Sequence, residues 1–180
     1  MNFADTDDKT ITTYCVGKDS AFEKSKTFDA ITKEWIKQNK FSGSLGQSVI
    51  CPTERGDMVA LLGLGDESSR KKSRFFLAAA AKSLPAGSYE IINPEAVDNL
   101  EIEVLGWLIN NYVFDKYKNK KASQAHLVQP KTINSDLVLK FAEAEALARN
   151  LINTPTSDMG PGNLASAVKN LANEFNADYS

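Results

Sequence analysis

Segments with the period of a strand alternate with segments of helical period along this 180-residue chain. That alternation predicts an α/β fold, a three-layer α/β/α arrangement with helices on both faces of one sheet. Two short apolar runs, Ser48-Val49-Ile50-Cys51-Pro52 and Met58-Val59-Ala60-Leu61-Leu62-Gly63-Leu64-Gly65, are separated only by Thr53 to Asp57. Continuous apolar runs of this kind between turn residues suit adjacent, buried strands. The length holds one full-sized domain with residues left over for a linker or part of another.

Thr10 to Lys18 (TITTYCVGK) is rich in β-branched and aromatic residues and reads as the first strand. A polar loop, Asp19 to Lys26, precedes a helix over Asp29 to Lys40, where Phe28, Ile31 and Trp35 recur at helical spacing and Thr27 is the candidate cap. Gly43 and Gly46 mark Phe41 to Gln47 as a turn-rich connection. After the two apolar strands, Ser68 to Leu84 reads as one helix, and its run of alanines from Ala78 to Ala81 favours helix and lets a neighbouring backbone approach. Ser88 to Ile92 is the next strand. Pro94 to Lys118 is the longest stretch of helical period, carried by Val97, Leu100, Val104, Leu105, Leu108, Ile109, Tyr112 and Val113. A helix of about 25 residues would be roughly 37 Å long. Gly106 inside it costs about 1 kcal/mol relative to alanine unless it admits a close neighbour. Ala125 to Val128 is the last strand, and Pro130 and Asn134 lead into a helix over Ser135 to Asn150.

Hydrophobic residues are 42% and charged residues 24%, the balance of an ordinary globular protein rather than a disordered one. The formal net charge of -2 gives no global attraction to phosphate polymers. Cys15 and Cys51 have no neighbouring Cys or His at metal-ligand spacing and read as two buried thiols in strands. Met1 to Lys9 carries Asp5, Asp7 and Asp8 and has neither a basic start nor an apolar stretch, so it is not expected to be a signal peptide. No apolar run approaches the roughly 20 residues that span a bilayer, and a cytoplasmic location without membrane partners is the expectation.

Few residues offer chemistry. Gly63 and Gly65 end a strand before a helix, where backbone amides can approach a phosphate, but the third glycine of a dinucleotide fingerprint is missing and a tight turn is the stronger reading. Arg70, Lys71, Lys72 and Arg74 form one basic cluster and Lys116, Lys118, Lys120 and Lys121 another; a nucleic-acid or partner contact is weighed there against solvated faces. His126 is the only histidine, too few for a metal cluster or a triad. Glu101 and Glu103, like Glu143 and Glu145, are two apart on helices and so point to different faces, unlike a di-metal site. No catalytic, cofactor-binding or metal-binding residue is assigned in the chain.

The last quarter is the most specific. Leu137, Phe141, Ala144, Ala148 and Leu151 share one helical face, and Arg149-Asn150-Leu151-Ile152-Asn153-Thr154-Pro155 ends that helix because Pro155 disfavours helical geometry before it. After Met159-Gly160-Pro161, where Pro161 pre-sets the backbone for a turn or a first helical position, a second helix runs from Leu164 to Phe175, with Asn163 a candidate cap. This order resembles the entrance to the catalytic domain of the leucyl (cytosol) aminopeptidases, where an "AR-L-N-P" element is followed by a proline and a helix. Leu61 to Gly65, LLGLG, and Leu105 to Lys118, a glycine-bearing helix with a "Y-F--YK" ending, resemble the same family in the same order. The first strand region and the Phe41 to Gln47 connection are short beside many members.

The resemblance implies a macro-domain-like N-terminal α/β domain with a mixed central sheet over residues 1–130, a linker helix over 131–152, and at 153–180 the truncated start of a metallopeptidase catalytic domain. It implies an enzyme that removes N-terminal residues from peptides, assembles as a homo-hexamer and uses two divalent metals, zinc, manganese or magnesium, whose ligands all lie beyond the linker. On this reading the chain is the non-catalytic N-terminal portion, inactive alone, with its own catalytic domain as partner and a role in assembly and substrate access. The rival from another class is a free-standing macro-like module that binds a nucleotide, ADP-ribose or nucleic acid. The near-neutral charge and the incomplete glycine motif count against it.

Overall fold

In the computed structural model, residues 2–7, 9–18, 20, 22–118 and 125–179 are described. Five strands, β1 (Ile11–Gly17), β2 (Ser48–Pro52), β3 (Met58–Gly65), β4 (Gly87–Ile91) and β5 (Ala125–Leu127), form one sheet in the order β2-β3-β1-β4-β5. β1 runs parallel to β3 and β4, and β4 to β5, whereas β2 pairs antiparallel with β3 at one edge. The sheet is therefore mixed. Beyond β5, Ala4 N–H donates to Leu127 O at 2.9 Å and ties the N-terminal segment to that strand.

Alternation along β3 divides the core. Leu61 joins Phe28, Ile36, Phe41 and Cys51 on the face covered by α1 (Ala30–Gln38). Ala60, Leu62 and Leu64 turn to the other face, against α3 (Phe76–Ala81) and α4 (Leu100–Asn110). Behind α4 lies α5 (Ser135–Asn153), whose Val138 and Ala142 belong to the same core. Helices thus cover both faces, as the alternation predicts. The short α2 (Glu67–Lys71) follows β3, and α6 (Pro161–Phe175) closes the chain.

Several expectations are corrected. The cap of α1 is Asp29, not Thr27: its Oδ1 accepts from Thr32 N–H and its Oδ2 from Glu54 N–H, each at 2.8 Å. Thr32 and Ile36 face the sheet, so Ile31 and Trp35 lie outward and exposed. The Ser68 to Leu84 helix is two helices, broken where Phe75 takes a left-handed conformation with φ of 58°. The break has a tertiary cause. Glu103 reaches from α4 and accepts from Phe75 N–H and Leu77 N–H, each at 2.9 Å, supplying the helix start with the acceptor it otherwise lacks. Phe75 then lays its ring on Gly106, where an added Cβ would stand 2.3 Å from Cδ1.

The helix read over Pro94 to Lys118 is only 11 residues long. Pro94–Ala96 is a single 3-10 turn, Val97 is extended, and Asn99 is left-handed. Asn93 explains the irregular approach: its side chain accepts from Cys15 N–H at 2.9 Å and donates to Cys15 O at 2.8 Å, pairing with β1 as a strand would. At the other end, Trp107 Nε1–H and Asn111 Nδ2–H both donate to Ala125 O, and Tyr112 and Val113 lie past the helix.

The face of α5 is corrected too. Leu137, Phe141, Ala144 and Ala148 lie outward, with Phe141 56% exposed, and the residues turned to α4 are Val138 and Ala142. Asn134 caps the helix, accepting from Leu137 N–H. For α6 the cap position is Gly160, not Asn163, while Pro161 takes the first helical position, one of the two places its sequence context offers it. Proline suits that position because its missing N–H would have no partner there.

Candidate functional site

The glycine corner after β3 is filled by the chain itself. Gly63 N–H donates to Gln47 O at 2.7 Å and Gly65 N–H to Gly43 O at 2.8 Å, while Lys18 N–H and Gly46 N–H take the carbonyls of Gly65 and Gly63. An added Cβ at Gly63 would meet Ser44 O at 2.0 Å. These glycines let the 43–47 connection pack against β3, and their amides are already used. Gly65, with φ of 63°, turns the chain into α2. Asp66 caps that helix, accepting from Ser68 Oγ–H at 2.7 Å and Ser69 N–H at 2.8 Å, and these bonds, that of Ser68 foremost, hold its carboxyl down to about 2. The tight-turn reading of the motif holds.

In the first basic cluster, Arg70 donates Nε–H to Asp98 at 3.1 Å and Nη1–H to the carbonyls of Leu64 and Gly65. Lys71 pairs with Glu67 on the same exposed face. In the second, Lys116 lies 5.5 Å from the centre of the Tyr117 ring, while Lys120 and Lys121 fall outside the described residues. Arg70, Lys71 and Arg74 border one shallow cavity, but Glu67, Asp98 and Glu103 line it too, so its charge is mixed rather than basic.

His126 lies half-buried in β5 and, with Asn111, Asp115 and Asn150, borders a cavity of about 390 Å³. Cys15 and Cys51 are unpaired and buried in strands; burial pushes both thiols up to about 12. For Cys15, Glu103 and then Glu95 add to the effect. Such thiols are poor nucleophiles. Glu103, the acid that sequence spacing dismissed, is 3% exposed. Burial raises its carboxyl above the ordinary range, opposed by the backbone amides it accepts from. Its signal in the sequence was an acid amid Leu100, Val104, Trp107 and Leu108, where burial requires a partner. Glu101 Oε1 lies 3.4 Å from Asn134 N–H, and Glu145 pairs with Arg149 at 2.8 Å.

Among the described residues no three His, Cys, Asp or Glu side chains come together as a group able to hold a metal ion. The di-metal centre implied by the resemblance does not fit any cluster of residues described here. Among the described residues no helix is long and apolar enough to cross a membrane.

A layered α/β domain with a used-up glycine corner and two trailing helices is the class these observations define. Residues 16–130 match the family model of the M17 aminopeptidase N-terminal domain, and the chain belongs to that family. Among curated relatives, the "Probable cytosol aminopeptidase" of Wolinella succinogenes is 31% identical over 164 residues, covering 78% of this chain and 34% of the relative. The protein of the same name from Aquifex aeolicus is 32% identical over 160 residues, covering 79% of this chain and 32% of its own length. The chain thus spans about a third of the relatives it matches. The crystal structure of the cytosol aminopeptidase from Coxiella burnetii superposes with a TM-score of 0.81 at 28% identity, over 96% of this chain and 37% of that one. The bottromycin maturation enzyme BotP in complex with Mn shares the fold, with a TM-score of 0.69 at 21% identity over 92% of this chain and 36% of its own.

Proposed function

We propose that the chain serves as the N-terminal, non-catalytic portion of a metal-dependent aminopeptidase that removes N-terminal residues from peptides. The observation that carries this reading is the coverage: a family match confined to residues 16–130, and a superposition on a cytosol aminopeptidase that continues through almost the whole chain while using only 37% of the other. On this reading residues 1–130 form the N-terminal domain, 131–152 the linker helix and 153–180 the start of the catalytic domain. Its role is in homo-hexamer assembly and in substrate access, in the cytoplasm, while the two divalent metals (zinc, manganese or magnesium) and their ligands belong to the remainder of the enzyme. The uncovered apolar face of α6 supports this reading, since a helix start of a larger domain has partners yet to meet.

Two assays test it. The chain alone, incubated with leucine anilide and manganese or zinc against a chelated control, should show no turnover; saturable, metal-dependent hydrolysis would overturn the non-catalytic role. Exchanging residues 1–180 for the corresponding portion of the Coxiella burnetii enzyme should give an active hybrid of native oligomeric size. A folded but inactive, monomeric hybrid would count against the assembly role.

A further inference from the structure

Among the described residues, the second half of α5 has no fully buried side chain, and Ala146 and Leu151 are only half-buried. The buried residues of the helix are Ser135, Val138 and Ala142, all in the first half, while Ile152 near its end is 81% exposed. The second half is gripped instead by an irregular stretch of chain just past α4. Tyr112 donates its hydroxyl to Asn150 Oδ1 at 2.8 Å and accepts from Asn153 Nδ2–H at 3.2 Å, so one phenol is bonded twice to one turn of α5. The Arg149 guanidinium lies 5.6 Å from the centre of the same ring and is itself held by Glu145.

A few residues on, Tyr117 donates its hydroxyl to Asp158 Oδ2, in the turn between α5 and α6. That turn is tightly closed: the N–H groups of Asp158 and Met159 both donate to Pro155 O at 2.9 Å. Upstream, Asn150 O accepts from Thr154 Oγ1–H at 2.7 Å and from Thr154 N–H at 3.1 Å. Phe114 packs against the Tyr117 ring and Lys116 lies beside it. These bonds bridge stretches 38 and 41 residues apart, and a helix end needs no such long-range bonds to close itself. Beyond the turn, α6 buries only Ala172, so its direction is set by how the turn is held.

We propose that Tyr112 and Tyr117 form a two-point clasp that fixes the direction in which the chain leaves the N-terminal domain. Tyr112 pins the last turns of α5, and Tyr117 pins the turn that starts α6. Both grips are hydroxyl hydrogen bonds, so they can be cut without removing the rings. The clasp is a property of this chain by itself and stands whether or not a catalytic domain follows.

Spin labels on cysteines at exposed positions, Lys37→Cys on α1 and Asn170→Cys on α6, read that direction as a distance distribution. The parent pair should give one narrow distribution. Tyr112→Phe with Tyr117→Phe should broaden it by about twofold or more, since such segments move collectively once released. Asp158→Ala should broaden it partly, and Asp158→Asn, whose amide oxygen still accepts from the phenol, should keep it narrow. An unchanged width in the double phenylalanine variant would overturn the clasp, as would equal broadening by Asp158→Asn and Asp158→Ala. Tyrosine ionisation gives a second readout. The bond to Asp158 holds the Tyr117 phenol up to about 12. In Asp158→Ala one tyrosine should therefore ionise at lower pH, and a titration identical to the parent would show that the bond does not form. Amide exchange in single variants covers the case of a poorly folded double variant. Tyr117→Phe should speed exchange at Asp158 and Met159 by about tenfold, with α4 unaltered, and no change there would remove the second grip.

Discussion

α4 and α6 carry the same kind of apolar pattern and meet opposite fates. In α4, Leu100, Val104, Trp107 and Leu108 are buried between the sheet, α3 and α5. In α6, Leu164, Val168, Leu171 and Phe175 recur at the same helical spacing, yet all are exposed, Phe175 at 67%. Between them α5 is an intermediate case, with Val138 and Ala142 covered by α4 and Leu137 and Phe141 open. Cover therefore runs out along the chain from α4 to α6. The lesson is that a helical period states which residues want burial and leaves open what will bury them.

Hydrogen exchange should show the widest gap between these regions. Amides of Val104 to Leu108 should open only with the whole fold, whereas those of Leu164 to Phe175 should exchange faster by on the order of a thousandfold. Measured at several protein concentrations, protection of α6 that rises with concentration would mean that a second copy covers the face. Strong protection independent of concentration would erase the contrast.

Substitution sharpens the same contrast. Leu108, 1% exposed, lies in a packed core, and Leu108→Ala should cost about 2 to 5 kcal/mol in a denaturant titration. Val168→Ala should stay within about 0.5 kcal/mol of the parent, because it removes nothing from a packed environment. A comparable loss at both positions would mean that α6 is covered. Gly106→Ala tests the packing of α4 more finely. Helix propensity alone favours alanine by about 1 kcal/mol. The new Cβ, however, would stand 2.3 Å from the Phe75 ring, and overpacking of that kind costs about 1 to 3 kcal/mol. A net loss of stability is expected, and a gain would show that Phe75 shifts freely.

The same two regions show what was legible in the sequence. β2 and β3 are found where the apolar runs place them, because Pro52, the Thr53 to Asp57 turn and Gly65 bound them by local chemistry. The glycine corner is legible as a turn for a related reason: two glycines without a third serve close backbone approach. Where tertiary partners decide, local reading failed. Nothing near Phe75 predicts a left-handed residue; Glu103, far along the chain, and the gap over Gly106 create it. Val97 and Val113 extend the period of α4 without being in the helix, since residues beyond its ends also pack inward or sideways. On α5 two apolar faces compete, and the smaller one, Val138 and Ala142, won because α4 approaches there. The clasp residues Tyr112, Tyr117, Asn150 and Asp158 carried no pairing signal at all, being polar and distant in sequence.

The smallest effect concerns α2, which has no buried residue and depends on its cap rather than on packing. Asp66 has an ordinary carboxyl value of 3.8, held down to about 2 in the fold, first by the Ser68 hydroxyl and then by Ser69. A carboxyl with a lower value in the folded state stabilises the fold when ionised. That contribution is complete above the unfolded value and is lost as pH falls through the folded one. Asp66→Asn keeps an acceptor for Ser69 N–H but has no charge to lose. The denaturant midpoint of Asp66→Asn should therefore lie below the parent near neutral pH, and the gap should close as pH falls from about 4 toward about 2. Glu103 runs the other way: its raised carboxyl gives stability that is present below its unfolded value and fades as pH rises. The parent's own acid profile mixes the two, so the test must be the difference between variant and parent rather than either curve alone. A gap of constant size across that range would show that the Asp66 charge contributes nothing to the cap.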